Sequence, residues 1–207
     1  MVEADAQGTA ILLAAGYSHR FGRDKRLERL GSDSLLNYVC RLYSGVFNRV
    51  IVVIRNDDSK VQATLTARHE VAYSEHAAKG ISQSLIAGVQ SALNEPWVVI
   101  GLADMPFVKS NTLYEIRNAL CHERDRIVRP QHDGKPGNPV GFPSIFFSRL
   151  LELTGDQGAR KLIDKVDSEV IDVSVDDPGI HIDIDTPRSF HQLAGLHSQG
   201  ILPLTNR

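Results

Sequence analysis

The stretch Thr9 to Lys25, T-A-I-L-L-A-A-G-Y-S-H-R-F-G-R-D-K, constrains this chain more than any other. Its first half is apolar and closes on Ala14-Ala15-Gly16, as a buried strand of a parallel sheet does before it turns. Its second half holds Gly16 and Gly22 and, with the residue after it, the cations Arg20, Arg23, Lys25 and Arg26. Small residues let backbone N–H groups approach phosphate oxygens, and Arg and Lys supply counter-charge. The loop therefore reads as a holder of a nucleotide triphosphate. A Walker A loop is excluded, because five residues separate the two glycines and Lys25 is followed by Arg26. The dinucleotide fingerprint fails at Gly16-Tyr17-Ser18. On local pattern alone, an ordinary β–α connection with solvated basic residues stays open.

The rest of the chain alternates strand-like and helix-like segments. Thr9–Ala15, Val50–Ile54, Glu70–Tyr73 and Trp97–Leu102 read as strands, with Arg126–Val128, Val170–Val175 and His181–Ile184 as further ones. Ser34–Gly45, Ser59–Arg68, Ile81–Leu93, Thr112–Leu120, Ser144–Leu153, Ala159–Val166 and the segment from Pro187 to Leu196 read as helices. In Ile81–Leu93, Leu85, Ile86, Val89 and Leu93 form the apolar face. Arg129 to Pro143, dense in proline and glycine, reads as a long constrained loop. The alternation predicts an α/β fold with a mainly parallel sheet and helices on both faces. At 207 residues, 42% of them apolar, the chain suits one domain spanning 1–207.

Other classes are set aside on composition. A net charge of −2 disfavours broad binding to nucleic acid. No apolar run approaches the roughly 20 residues of a membrane span. Met1 to Gly8 is short, acidic and polar, unlike a secretory signal. Cys40 and Cys121 stand outside any metal or redox spacing, as free thiols of a reducing cytosol do. The expected location is cytoplasmic.

In open parallel sheets, ligands lie beyond the carboxyl ends of the strands. Three segments are expected to meet there: the Gly16–Lys25 loop, Gly101-Leu102-Ala103-Asp104-Met105-Pro106, and Asp183-Ile184-Asp185-Thr186-Pro187. Asp104, a lone carboxylate after an apolar strand, suits Mg2+; it also suits a helix N-cap or turn. Alternation sets Asp183 and Asp185 on one side. One of them can complete a metal site, or Asp185 can merely cap the last helix. Gly80 and Ser82, where Lys79-Gly80-Ile81-Ser82-Gln83-Ser84 enters a helix, can read a base or ribose, or the serines can cap. Gly134 to Phe142, with Asn138, can line an acceptor pocket. Asp156 can cap the turn at Gly155–Arg160, and Arg160 can pair with it or bind acceptor phosphate. His19 reads as a loop residue.

Five motifs, in order, make a resemblance specific. Leu13 to Lys25 is similar to the form L-A-A-G-x-S-x-R-F-G-x-x-K of the nucleotidyltransferases that act on molybdenum cofactor. L-A-D-M-P at Leu102–Pro106, G-N-P-V-G-F at Gly137–Phe142, G-D-x-G-A-R at Gly155–Arg160 and D-I-D-T-P at Asp183–Pro187 follow, covering about Ala10 to Phe190. Ala15 and Phe21 favour the CTP-using branch, since guanylyltransferase relatives usually read L-A-G-G and R-M-G. Arg26-Leu27, where relatives more often have Leu-Leu, and Ile81, where methionine is usual, depart from the pattern.

The resemblance implies a Rossmann-like three-layer α/β/α domain that transfers CMP from CTP to the terminal phosphate of molybdopterin and releases pyrophosphate. By motif match, Arg20 and Lys25 meet the triphosphate, the Ala14-Ala15-Gly16 backbone and Gly22 shape the nucleotide loop, and Asp104 and Asp185 hold Mg2+. Gly80 and Ser82 lie near base and ribose, and Asn138 and Arg160 serve the acceptor. A molybdenum hydroxylase is the expected receiver of the product. GTP as donor, a sugar or polyol phosphate such as methylerythritol phosphate as acceptor, or a non-catalytic role in binding and delivering the finished cofactor are the alternatives.

Overall fold

The computed structural model describes residues 8–156 and 158–198; residues 1–7, Gln157 and 199–207 lie outside the described residues. In chain order the elements are β1 (Thr9–Leu13), β2 (Arg29–Leu30), β3 (Asp33–Ser34), α1 (Leu35–Ser44), β4 (Val50–Arg55), α2 (Ser59–Gln62), β5 (Glu70–Ser74) and α3 (Ile81–Gln90). Then come β6 (Trp97–Leu102), α4 (Ser110–His122), β7 (Ile127–His132), β8 (Lys135–Pro136), β9 (Val140–Pro143), α5 (Phe147–Leu151), α6 (Arg160–Lys165), β10 (Val170–Ser174) and α7 (Pro187–Ser198).

The main sheet runs β10-β7-β9-β6-β1-β4-β5, with β8 paired to β7. β6, β1, β4 and β5 are mutually parallel, and β7 and β10 pair in parallel. β9 runs antiparallel to both β6 and β7. Because β4 lies on one side of β1 and β6 on the other, the strand order reverses at β1. That reversal opens a crevice at the carboxyl ends of β1 and β6.

Strand side chains divide between two cores. Ala10, Leu12, Val50, Val52 and Ile54 pack on one face with α1, α4 and Phe190 of α7. Ile11, Ile51, Val53, Val98 and Ile100 pack on the other with Leu85 and Val89 of α3, Leu150 of α5 and Leu162 of α6. Alternate burial on both faces is why β1 and β4 read as unbroken apolar runs. The result is the three-layer α/β/α arrangement expected.

Several elements differ from their sequence reading. The helix expected over Ser59–Arg68 stops at Gln62. Thr64 turns its hydroxyl back onto the Val61 carbonyl (2.8 Å), and its own carbonyl accepts from Asn37 Nδ2 (2.9 Å). α3 ends at Gln90, so Leu93 is rotated out and 52% exposed. The Arg129–Pro143 stretch is no open loop. It supplies most of β7, all of β8 and all of β9, with Pro136 and Pro143 at strand ends and Pro130 beyond the Val128–Gly141 pairing. His181–Ile184 is not a strand. A single 3-10 turn, Pro178–His181, precedes an extended segment held to the sheet end by the Ile184 N–H to the Asp104 carbonyl (2.8 Å).

Candidate functional site

The crevice beyond β1 and β6 holds a cavity of about 490 Å3, lined by Ala14 to Arg20, Lys25, Gly80, Ile81, Asp104, Asp156 and Asp185 among others. The three segments that the sequence suggested would meet therefore do meet. Ala14 leaves the sheet with its N–H still bonded to the Val53 carbonyl (2.9 Å). Among the described residues, the N–H groups of Ala15, Gly16, Tyr17 and Ser18 donate to no other group of the chain. Four unpaired amides beside a cavity make an anion-binding concavity. The loop is held by Phe21, buried edge-on against Phe190 at 6.1 Å between centroids. It turns at Gly22, whose φ of +77° suits glycine. Gly22 does not border the cavity; Gly16 does, and a Cβ built there would meet no atom within 4 Å.

Lys25 ties the end of β6 to the extended segment before α7. Its Nζ donates to Asp104 Oδ2 (2.8 Å), Asp185 Oδ1 (3.0 Å) and the Ile184 carbonyl (2.7 Å). Arg20, 76% exposed, closes the group from outside by pairing with Asp185 Oδ2 at 2.6 Å. Burial works against the charge on Lys25, but Asp104 and Asp185 outweigh it, so its pKa lies above that of an ordinary lysine. Asp183, nearby and exposed, has its pKa raised by partial burial and then by the charges of Asp185 and Asp104. Asp104 Oδ1 is buried with no hydrogen-bond partner.

Neither carboxylate serves as a helix cap. α4 starts six residues after Asp104, and its first turn is held by buried Asp177, which accepts from the Lys109 N–H (2.8 Å) and Thr112 Oγ1 (2.6 Å). The start of α7 is held by Thr186, whose hydroxyl accepts from the Ser189 N–H (3.2 Å) while Ser189 Oγ accepts from the Thr186 N–H (3.1 Å). Asp104 is thus left to Lys25 and the cavity, and Asp185 to Lys25, Arg20 and the cavity. Two carboxylates, one with a free buried oxygen, fit a hard cation that completes its shell with phosphate oxygens and water. Among the described residues, no group of three or more His, Cys, Asp or Glu side chains is placed to hold a metal by protein ligands alone.

At the entry to α3, Gly80 has φ +117°, and a Cβ there would meet Asp156 Oδ1 at 2.5 Å and the Gly155 carbonyl at 2.6 Å. This glycine lets the Gly155-Asp156 turn sit on the helix start, where the Ser82 N–H donates to the Gly155 carbonyl (3.2 Å). Ser82 itself is fully buried, its hydroxyl has no partner, and it does not border the cavity. Ser84, one turn-edge further, does, with its hydroxyl 3.4 Å from Ser74 Oγ. Neither serine caps α3.

A second cavity of about 510 Å3 adjoins the first, sharing Leu13, Ile81, Leu102 and Asp156. Asn138 and Arg160 both line it, over an apolar floor that includes Leu85, Ile100 and Phe142. Arg160 lies 3.9 Å from Asp164, one helical turn on, rather than paired with Asp156. His19 stacks on Tyr17 at 5.6 Å between ring centroids, in the loop. Cys40 is buried, which pushes its thiol up to about 12, and it and Cys121 are free thiols.

Sequence reasoning missed the Ile184 carbonyl and the group Arg26, Arg55 and Asp58. No side-chain pattern marks a carbonyl. Arg26 looked like one more loop cation, whereas it is 4% exposed and fully hydrogen-bonded.

Comparison with known proteins gives the family and the fold. The family model described as MobA-like NTP transferase domain matches residues 10–170. The chain belongs to that family. It is 29% identical over 197 residues to the purine catabolism protein PucB of Bacillus subtilis (strain 168), covering 87% of this chain and 92% of that one. Rv0371c of Mycobacterium tuberculosis, solved in complex with manganese, superposes with a TM-score of 0.74 at 23% identity, covering 91% and 98% of the two chains. The molybdopterin-guanine dinucleotide biosynthesis protein A of Archaeoglobus fulgidus superposes with a TM-score of 0.73 at 18% identity, covering 92% and 99%. These likenesses establish the nucleotidyltransferase fold. Among the described residues, no helix of this MobA-like chain is long and apolar enough to cross a membrane.

Proposed function

We propose that this chain transfers CMP from CTP to the terminal phosphate of molybdopterin. An oxygen of the acceptor phosphate attacks the α-phosphorus, the bond from that phosphorus to the bridging oxygen breaks, and pyrophosphate leaves. The nucleophile is already ionised near neutral pH, so the protein needs no general base, and catalysis rests on alignment and charge.

One observation carries the reading: Lys25 gathers Asp104 and Asp185 at the rim of a cavity walled by four unpaired amides, beside a second cavity of similar size. In this reading the amides of residues 15–18 take the phosphates, with Gly16 and Gly22 shaping the loop. Arg20 and Lys25 neutralise the triphosphate, and Gly80 and Ser84, rather than Ser82, face the ribose and base. Asn138 and Arg160 receive the acceptor. Asp104 and Asp185 would hold Mg2+, which supplies charge neutralisation on the phosphates. Ala15 and Phe21 of the first motif support CTP over GTP. A molybdenum hydroxylase is the receiving enzyme in this reading.

The test is pyrophosphate release with molybdopterin as acceptor and CTP, GTP, ATP or UTP as donor. CTP-dependent release with formation of the cytosine dinucleotide is expected. Release with GTP instead would move the product to a guanine dinucleotide. No release with molybdopterin, together with turnover of a sugar or polyol phosphate, would overturn the acceptor assignment.

A further inference from the structure

Behind the Gly16 loop lies a charged group to which the reading above gives no task. Arg26 donates to the Ala14 carbonyl (2.6 Å), to both oxygens of Asp58 (2.5 and 2.8 Å) and to both oxygens of Asp24 (2.8 and 2.6 Å). Arg55, at the end of β4, donates Nη1 to the Gly16 carbonyl (2.7 Å) and Nη2 to Asp58. Its guanidinium lies 4.6 Å from the centroid of the Tyr17 ring. Asp58 is 6% exposed and also accepts from the Arg55 backbone N–H (2.9 Å). One buried carboxylate thus links two guanidiniums, and each guanidinium holds one carbonyl of the loop.

The peptide unit converts this into an orientation. In a trans peptide, a carbonyl and the N–H that follows it point in opposite directions. Drawing the Ala14 and Gly16 carbonyls toward Arg26 and Arg55 turns the N–H groups of Ala15 and Tyr17 the other way. Both residues line the nucleotide cavity, and both amides are among those unpaired within the chain. Arg26 borders that cavity, but its donors are all taken within the chain, and Arg55 does not line it, so both act through the loop. Gly16 itself offers little restraint, because glycine ranges widely in φ and ψ.

We infer that Arg26, Arg55 and Asp58 are positioning residues for the nucleotide site: the arginines hold two loop carbonyls back so that the amides of Ala15 and Tyr17 stay aimed at phosphate, and Asp58 holds the arginines. This rests on the nucleotide reading above. Arg55 is the residue to change, since Asp58 keeps Arg26 when Arg55 is lost.

Wild type, Arg55→Ala and Arg55→Lys are titrated calorimetrically with CTP, GTP, ATP and UTP in Mg2+, and melted without ligand. Arg55→Ala should weaken the Kd of the preferred nucleotide about tenfold, the scale of ordering one residue's backbone on binding. Its KM for nucleotide should rise in proportion, its KM for acceptor should not change, and its Tm should fall by only a few degrees. Lysine has no planar fork to serve carboxylate and carbonyl together. Arg55→Lys should therefore bind several-fold more weakly than wild type, and it carries the test should the alanine variant not fold. Equal affinity of wild type and the folded variants overturns the inference alone. A wild type that binds none of the four nucleotides, in Mg2+ and with molybdopterin present, overturns the nucleotide reading, and the inference falls with it.

Discussion

Replacing Asp104 by asparagine separates a structural carboxylate from a working one. Asp104 Oδ2 accepts from Lys25 Nζ at 2.8 Å, and Oδ1 is buried without a partner. Asparagine keeps an oxygen for Lys25, which also retains Asp185 and the Ile184 carbonyl. What is lost is the difference between a doubly and a singly charged hydrogen bond, about 1 kcal/mol. At roughly 2–4 °C per kcal/mol for a chain of this size, Tm should fall by no more than a few degrees. Removing a preorganised charge from the reacting phosphates should cost far more, about 100- to 1,000-fold in turnover, or about 3–4 kcal/mol. The assay is pyrophosphate release beside thermal melting with and without nucleotide and Mg2+. Wild type at about 100 times Kd should gain about 2.7 kcal/mol from ligand, a rise of roughly 5–10 °C. Asp104→Asn should lose most of that rise. Full turnover, or an undiminished Mg2+-dependent rise, would refute the reasoning.

Other changes probe the frame around the site. Gly80→Ala places a Cβ 2.5 Å from Asp156 Oδ1 at φ +117°, so stability should drop by about 1–3 kcal/mol and nucleotide affinity with it, read by melting and calorimetry. Asp177→Ala leaves the Lys109 and Gly179 N–H groups and the Thr112 hydroxyl unpaired, and should cost about 3 kcal/mol or more in chemical denaturation while the surviving folded protein binds nucleotide as before. Lys25→Met should weaken nucleotide binding, and its stability difference from wild type carries a pH signature. The raised pKa means folding favours the charged lysine, so its contribution is complete below about pH 10.4 and is lost as pH rises through the folded value. The gap in Tm between wild type and variant should stay constant between about pH 6 and 9 and narrow only above about pH 10.5.

The parallel core was legible because β1, β4 and β6 are buried on both faces, so their apolar runs carry no competing signal. Arg129–Pro143 was not, since proline and glycine densities that normally mark loops here occupy strand ends and a short hairpin whose partners are distant in sequence. The same limit hid the failure of His181–Ile184 to pair. An alternating pattern states which face is apolar, not whether a neighbour strand exists. Of the candidate site, Asp104 could be read from chemistry at a strand end, because a lone carboxylate after an apolar strand is unusual, and Lys25 from the glycine loop; the choice of Asp185 over Asp183 came from the motif resemblance alone. Ser82 and Ser84, both buried, could not be told apart without the helix phase that sets only Ser84 against the cavity. Arg26 misled most. A buried arginine and an exposed one look alike in sequence, and its partner Asp58 sits in another β–α connection.

The central claim is that the crevice between β1 and β6 holds a nucleoside triphosphate with a divalent cation. Calorimetric titration of the purified chain with CTP, GTP, ATP and UTP, each with and without Mg2+, tests it most directly. The account predicts saturable binding of CTP in preference to the others, strengthened by Mg2+ and weakened in Lys25→Met. Binding of none of the four, in Mg2+ and with molybdopterin present, would contradict it.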